Sequence, residues 1–182
     1  MKYYRLLDDL EIKKRWFIGE LENIEWDFWQ YISAKPLDEM PTKPMPIEIQ
    51  EKGIPLDFTY AAFELPIVNK ITKELFSIND VNFYLVINKL FKEEYYLMHI
   101  LHQVDCVDEK KSTFDKFEEN DPIRPDLAGQ YKTIYKLKLK KDIKSNHDIF
   151  RVKDYETAVI ISEKIKNKFE ELNLIGIEFQ EV

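Results

Sequence analysis

Cysteine is nearly missing from this chain, with Cys106 alone among 182 residues. An intramolecular disulfide is impossible, a thiolate zinc cage is excluded, and stability has to come from packing. Glycine is almost as scarce. Gly19, Gly53, Gly129 and Gly176 are isolated from one another, so no loop is built to cradle a phosphate and no dinucleotide fingerprint is present. The same scarcity leaves few tight turns where backbone amides could form an oxyanion hole beside a serine or cysteine. Only Arg5, Arg15, Arg124 and Arg151 are arginines among 27 basic residues, and the net charge is −7. Nucleic-acid binding rewards dense positive charge and forked donors, so no nucleic-acid partner is expected. Lys, Glu or Asp interrupts every apolar stretch before it reaches the ~18 residues a membrane helix needs. The opening "MKYYRLLDDLEIKKRW" puts Asp8 and Asp9 where a signal peptide carries its apolar core. The expectation is a cytoplasmic protein with no membrane association, whose charged partners are basic.

What the chain has in quantity is apolar and aromatic side chains, 45% and 14% of the total. That is enough for one substantial core and short for two domains of ordinary size. Residues 1–182 are expected to form one domain, with an aromatic- and proline-rich part over 1–52 and an α+β core over 53–182. The fold class expected is α+β, a mainly antiparallel or mixed sheet packed with a few amphipathic helices.

Local grammar supports that class. Pro36, Pro41, Pro44 and Pro46 keep the backbone extended, leading to a short strand near 46–50. "DFTYAAF" predicts a short helix capped by Asp57. "LPIV" followed by Asn69 predicts a strand and a helix N-cap, with Ile71 and Leu75 one turn apart. In "VNFYLVINKLF", Val81, Phe83, Leu85 and Ile87 alternate against Asn82, Tyr84 and Asn88, the period of a half-buried strand, and "EEYYLMHILHQVDCVD" is its hairpin partner. Residues 108–130 predict a long exposed loop with a helical turn. "YKTIYKLKLKKDI" predicts a strand with Tyr135, Leu137 and Leu139 on one face and lysines on the other, a pattern that protects sheet edges. The closing unit, 160–179, predicts a strand, a helix capped by Ser162 with Ile165, Phe169 and Leu172 buried, a left-handed stop at Asn173, and a last strand. "PIVNKITKELFSINDVNFYLVI" and "VIISEKIKNKFEELNLIGIEF" repeat the phrase strand, cap, Lys-rich helix, strand.

Few groups are placed for chemistry. His99, His102, Asp105 and Asp108 lie within one short stretch. On a helix the two histidines would converge on a metal, whereas on a strand they diverge. An alternative reading makes this cluster the site of a small metal-dependent hydrolase. Cys106 beside Asp105 sits in an acidic setting that raises a thiol pKa, as suits a buried apolar residue. Trp16, Trp26, Trp29 and Tyr31 suit either a core or an interface, and the acidic loop with Asp115, Glu118, Glu119 and Asp121 can steer a basic partner.

In order along the chain, "YYRLLDD" (3–9), "RWFIG" (15–19), "GIPLDFTYAAFELPIVNK" (53–70), "VDCVDEKKS" (104–112), "IFRV" (149–152) and "VIISEKIKNKFEELNLIGIEF" (159–179) resemble the Imm11 immunity proteins of bacterial polymorphic toxin systems. One departure is Ala34, where such proteins often carry glycine. The resemblance implies a non-enzymatic protein that binds and neutralises a cognate toxin, and cytoplasmic residence a toxin that acts inside the cell; no cofactor or metal is expected. No catalytic residue carries over. An acidic inhibitor suits a basic toxin, and Trp26, Trp29, Asp115, Glu118, Glu119 and Asp121 are the residues expected to meet it.

Overall fold

In a computed structural model, which describes residues 2–22, 28–143 and 145–182, the chain is mainly β. In chain order the first strands are β1 (Tyr3–Asp8), β2 (Phe17–Leu21), β3 (Met45–Glu51), β4 (Phe58–Ala61), β5 (Leu65–Asn69), β6 (Val81–Ile87) and β7 (Tyr95–Ile100). They are followed by β8 (Gln103–Val104), β9 (Thr113–Lys116), β10 (Tyr131–Lys136), β11 (Ile149–Val152), β12 (Tyr155–Ser162) and β13 (Ile177–Glu181). The α-helices are short: α1 (Trp29–Ile32), α2 (Lys70–Lys73) and α3 (Glu163–Glu171). None is long and apolar enough to cross a membrane. The expected α+β class thus shifts toward β.

Among the described residues the strands form three sheets. One has the order β13-β1-β12-β11-β8, another β2-β3-β6-β7-β5-β4, and β9 pairs with β10 as a separate ribbon. The β3–β6 and β8–β11 pairings are parallel and the others antiparallel, so the sheets are mixed, as expected. The two large sheets face each other. Val68, Val81, Met98 and Ile100 from one meet Leu6, Ile149, Val159 and Ile161 from the other, with Ile165 and Phe169 of α3 closing the layer. Alternate residues of the same strands point the opposite way, as the pleat demands. Leu65, Ile67, Tyr84, Val86 and Leu97 pack under β2, β3 and α1, while Phe150, Val152, Ala158 and Ile160 pack under the β9–β10 ribbon. The central strands of both large sheets are therefore covered on both faces, in the six-stranded sheet partly by its own β2 and β3. This is why β6 buries Tyr84 and Val86 as well as Val81, where one-sided alternation placed Tyr84 toward solvent.

The repeated phrase has a topological counterpart. In the first copy β4 and β5 form an antiparallel pair, α2 follows, and β6 returns parallel to β5 with β7 between them, antiparallel to both. In the second copy β11 and β12 pair antiparallel, α3 follows, and β13 returns with a strand between it and β12, antiparallel to both. That strand is β1, from the other end of the chain. The second unit is the first with its last strand moved to the front.

Several local expectations change. "DFTYAAF" forms β4 rather than a helix, because Phe58, Thr59 and Ala61 are buried against β5. Asp57 is not a helix cap; its carboxylate accepts from Asn69 Nδ2 at 2.8 Å and from the Ile175 amide at 2.7 Å. Asn69 does cap α2, accepting from the Thr72 amide at 3.0 Å, but this short helix buries Thr72 and leaves Ile71 exposed. Part of the expected loop over 108–130 is β9, with a 3-10 turn at Pro125–Leu127. Register shifts flank the β9–β10 pairing, and such bulges turn side chains to the other face. Ile134 and Leu137 are accordingly buried and Tyr135 is exposed. Ser162 does not cap α3; its hydroxyl donates to Asp148 at 2.7 Å. Leu172 is exposed, while Ile165 and Phe169 are buried as expected. Asn173 has φ 53°, and the Leu174 and Asn173 amides donate back to Phe169 and Glu170 carbonyls at 3.0 and 3.1 Å, the Schellman closure that a left-handed residue permits.

Candidate functional site

The short α1 segment lies on β7, and a buried histidine holds it there. His99 is fully buried, with Nε2 2.8 Å from the Ser33 carbonyl and Nδ1 3.4 Å from the Tyr84 hydroxyl. A carbonyl only accepts, so Nε2 carries the proton and Nδ1 accepts from Tyr84. Desolvation pushes the His99 pKa down, which keeps the ring neutral and the arrangement intact. Tyr31 of α1 packs edge-on against both His99 and Tyr84.

Pinned in this way, α1 forms one wall of a groove of about 690 Å³ whose other wall is the loop joining β9 to β10, the start of β10 and the β11–β12 turn. Trp29, Ile32 and Glu64 line the first wall, and Phe117, Leu127 and Tyr131 the second. The rim is aromatic. Phe28 stacks on Phe63 with centroids 3.9 Å apart and packs against Trp29 at 4.6 Å. Trp29 and Phe63 are 49% and 47% exposed, too much for a side chain whose role is core packing. Phe63 and Glu64 both have left-handed backbones, with φ 60° and 55°. For non-glycine residues this costs of order 1–3 kcal/mol each, and such strain concentrates at binding sites.

The groove is acidic. Glu64, Asp154 and Glu156 line it against Arg124 and Lys132. Arg124 is bound to Asp126 at 2.8 Å and Lys132 faces Asp121 at 3.9 Å, so neither base is left to offset the acids. Glu64 is exposed overall, and the shielding that pushes its carboxyl pKa up is opposed by Arg5 and Arg151. Glu118 and Glu119 follow Phe117 directly; both are exposed, and their carboxylates make no ion pair among the described residues.

The expected contact residues separate accordingly. Trp29 lines this groove and is half exposed; Glu118 and Glu119 do not line it and stand exposed in the loop just after Phe117, which does. Asp115 accepts from the Tyr135 hydroxyl at 2.7 Å on the exposed face of the ribbon. Asp121 is committed to the chain's own turn: it accepts from the Ile123 and Arg124 amides at 3.0 and 2.8 Å, which hold its pKa below the usual carboxylate value. Trp26 lies outside the described residues. Trp16 is buried against Tyr95 and Phe91 and belongs to the core. Phe63 and the 82% exposed Ile123 were not among the expected residues. The one sequence signal for Ile123 is its place between acidic and proline residues in a polar loop.

The hydrolase cluster does not assemble. His99 is committed to Ser33, Asp105 binds Lys140 at 2.7 Å, and Asp108 binds Lys111 at 2.5 Å and caps its own turn. These groups lie on a strand and its continuation, where neighbouring side chains diverge. Cys106 is buried, with its thiol pushed up to about 12 first by burial and then by Asp105, a poor nucleophile.

A mainly β protein with an acidic, aromatic-rimmed groove is the class of molecule that the geometry defines. The model of the immunity protein family (Imm11) matches residues 73–182, more than half of the chain, and the chain belongs to that family. The matched region holds the acidic loop, and Trp29 and Phe63 lie before it. No curated protein matches the chain.

Proposed function

We propose that this protein is a non-enzymatic immunity protein that binds a cognate bacterial toxin in the cytoplasm and neutralises it by occupation, with the groove between α1 and the β9–β10 ribbon as the contact surface. Family membership supports the role. The observation that carries the location is the aromatic rim of Phe28, half-exposed Trp29 and left-handed, half-exposed Phe63 at a groove lined by Glu64, Asp154 and Glu156, with Glu118 and Glu119 exposed in the loop after Phe117. Aromatic anchors supply contact area at low entropic cost, and unpaired carboxylates speed the approach of a basic partner. Residues 1–182 act as one domain in this reading, since Trp16, Ile18 and Ile47 from the first 52 residues share a core with Leu65 and Leu97.

The test is growth rescue on co-expression with the toxin encoded beside this gene. Wild-type protein should restore growth and Trp29→Ala should not. Double charge reversal, Glu118→Lys with Glu119→Lys, should slow association at low salt by about tenfold and much less at high salt. Full rescue and unchanged association in both variants would place the contact elsewhere.

A further inference from the structure

The histidine pair expected on one strand is replaced by a set drawn from three separated segments. Asp80 immediately precedes β6, His102 follows β7, and His147 precedes β11. Asp80 Oδ1 lies 3.2 Å from His102 Nε2 and 2.8 Å from His147 Nδ1, and one ligand atom from each residue falls within 4.8 Å of the others. The two imidazole rings stack with centroids 3.5 Å apart and planes 16° from parallel.

Three donors from three separated segments converge here, which an ordinary surface ion pair does not require. The oxygen–nitrogen separations are those of hydrogen bonds and equally fit the ligand–ligand edges around a small divalent ion, roughly 2.9 Å for octahedral and 3.3 Å for tetrahedral coordination at bond lengths near 2.05 Å. In addition, His102 Nε2 has two oxygens within reach, Asp80 Oδ1 and the Asn79 carbonyl at 3.0 Å, and at most one proton to share between them. A cation in that position would satisfy all of these lone pairs together. We propose that Asp80, His102 and His147 form a binding site for a zinc-type divalent transition metal, which fastens the six-stranded sheet to the five-stranded one.

The donor set decides the class of ion. Imidazole nitrogen with one carboxylate suits zinc and its first-row neighbours, whereas magnesium and calcium take oxygen ligands. Three side chains leave a further position for water or for the Asn79 carbonyl. The side chains of His102, His147 and Asp80 are 28%, 36% and 15% exposed, so an ion has a path from solvent. The neighbouring cation Lys164 is held by Asp148 at 2.5 Å. Nearly parallel rings cannot both aim in-plane lone pairs at one ion, so loading turns one ring about its Cβ–Cγ bond and ends the stacking.

The full chain, dialysed first against Co²⁺ and separately against Zn²⁺, should retain one equivalent of either. The cobalt form should show visible absorption of a four- or five-coordinate ion, and the thermal midpoint should rise with zinc concentration. His147→Ala, in a surface loop, and His102→Gln should each weaken binding at least about tenfold, while Asp105→Asn binds as wild type does. X-ray absorption of the zinc-loaded wild-type chain, which needs no variant to fold, should report two imidazole ligands. Retention below about a tenth of an equivalent, equal binding by both histidine variants, or fewer than two imidazoles around zinc would overturn the proposal.

Discussion

Gly176 and Gly129 offer a controlled comparison of what a single methyl group costs. Both have positive φ, +111° and +81°, so alanine at either is strained. At Gly129 an added Cβ meets nothing within 4 Å; at Gly176 it falls 1.9 Å from the Phe58 carbonyl oxygen. Gly129→Ala therefore pays the backbone term alone, about 1–2 kcal/mol. At Gly176 the φ lies further from the left-handed well, and the β4 carbonyl has to retreat by about 1.1 Å before contact reaches the 3.0 Å below which real Cβ atoms are essentially never found. That retreat pulls on the Asp57 and Phe58 amides, which both donate to the Ile175 carbonyl at 3.1 and 3.2 Å. Their loss adds about 0.5–1.5 kcal/mol each. The expected cost of Gly176→Ala is about 3–5 kcal/mol, a large share of a typical domain's stability. With a urea m-value near 2 kcal/mol/M, the midpoint should fall by about 1.5–2.5 M, against less than about 1 M for Gly129→Ala. Equal shifts for the two variants would show that the turn before β13 does not press on β4.

Two further outcomes follow from buried polar groups. Because His99 has a depressed pKa in the folded state and an ordinary value near 6.5 when unfolded, the unfolded chain binds more protons below that pH. Stability should be full above about 6.5 and fall as pH drops below it, by at most about 1.4 kcal/mol per unit. Urea midpoints at pH 7.5 and 5.5 measure this, and a His99→Gln variant with the same pH slope would refute the assignment. Arg151 is fully buried; Nη1 donates to the Glu156 carbonyl, Nε and Nη2 have no partner among the described residues, and desolvation lowers its pKa to about 10. Arg151→Met should be neutral or stabilising by up to about 2 kcal/mol, and a loss above about 1.5 kcal/mol in urea would show that the charge is compensated.

Legibility in the sequence followed the range of the interactions involved. The β6–β7 hairpin, the Asn69 cap and the Asn173 stop rest on neighbours a few residues away, and local grammar found them. β10 was misread in its facing because the bulges that turn Ile134 inward arise only on pairing with β9. Ser162 has the right residue type for a cap, yet Asp148, fourteen residues earlier, claims its hydroxyl. Of the groove's lining only Trp29 was singled out; the acids that line it, Glu64, Asp154 and Glu156, come from separate turns, and Phe63 reaches its rim only because a left-handed kink follows β4. His102 was noticed for its neighbours in sequence, but its partners Asp80 and His147 come from turns 22 and 45 residues away, and no spacing rule reaches that far.

The displaced strand β1 bears on synthesis. Its partners are residues 160–162 and 177–181, so during translation the first strand leaves the ribosome more than 150 residues ahead of anything it can pair with. The first unit, β4 to β7, can close as soon as residue 100 emerges, whereas the second cannot close until the final strand is made. Contacts this distant in sequence slow folding, and an early strand left waiting is a hazard for wrong association. Arg5 and Asp8 within it, and Asp9 just after it, are charges of the kind that such a wait calls for.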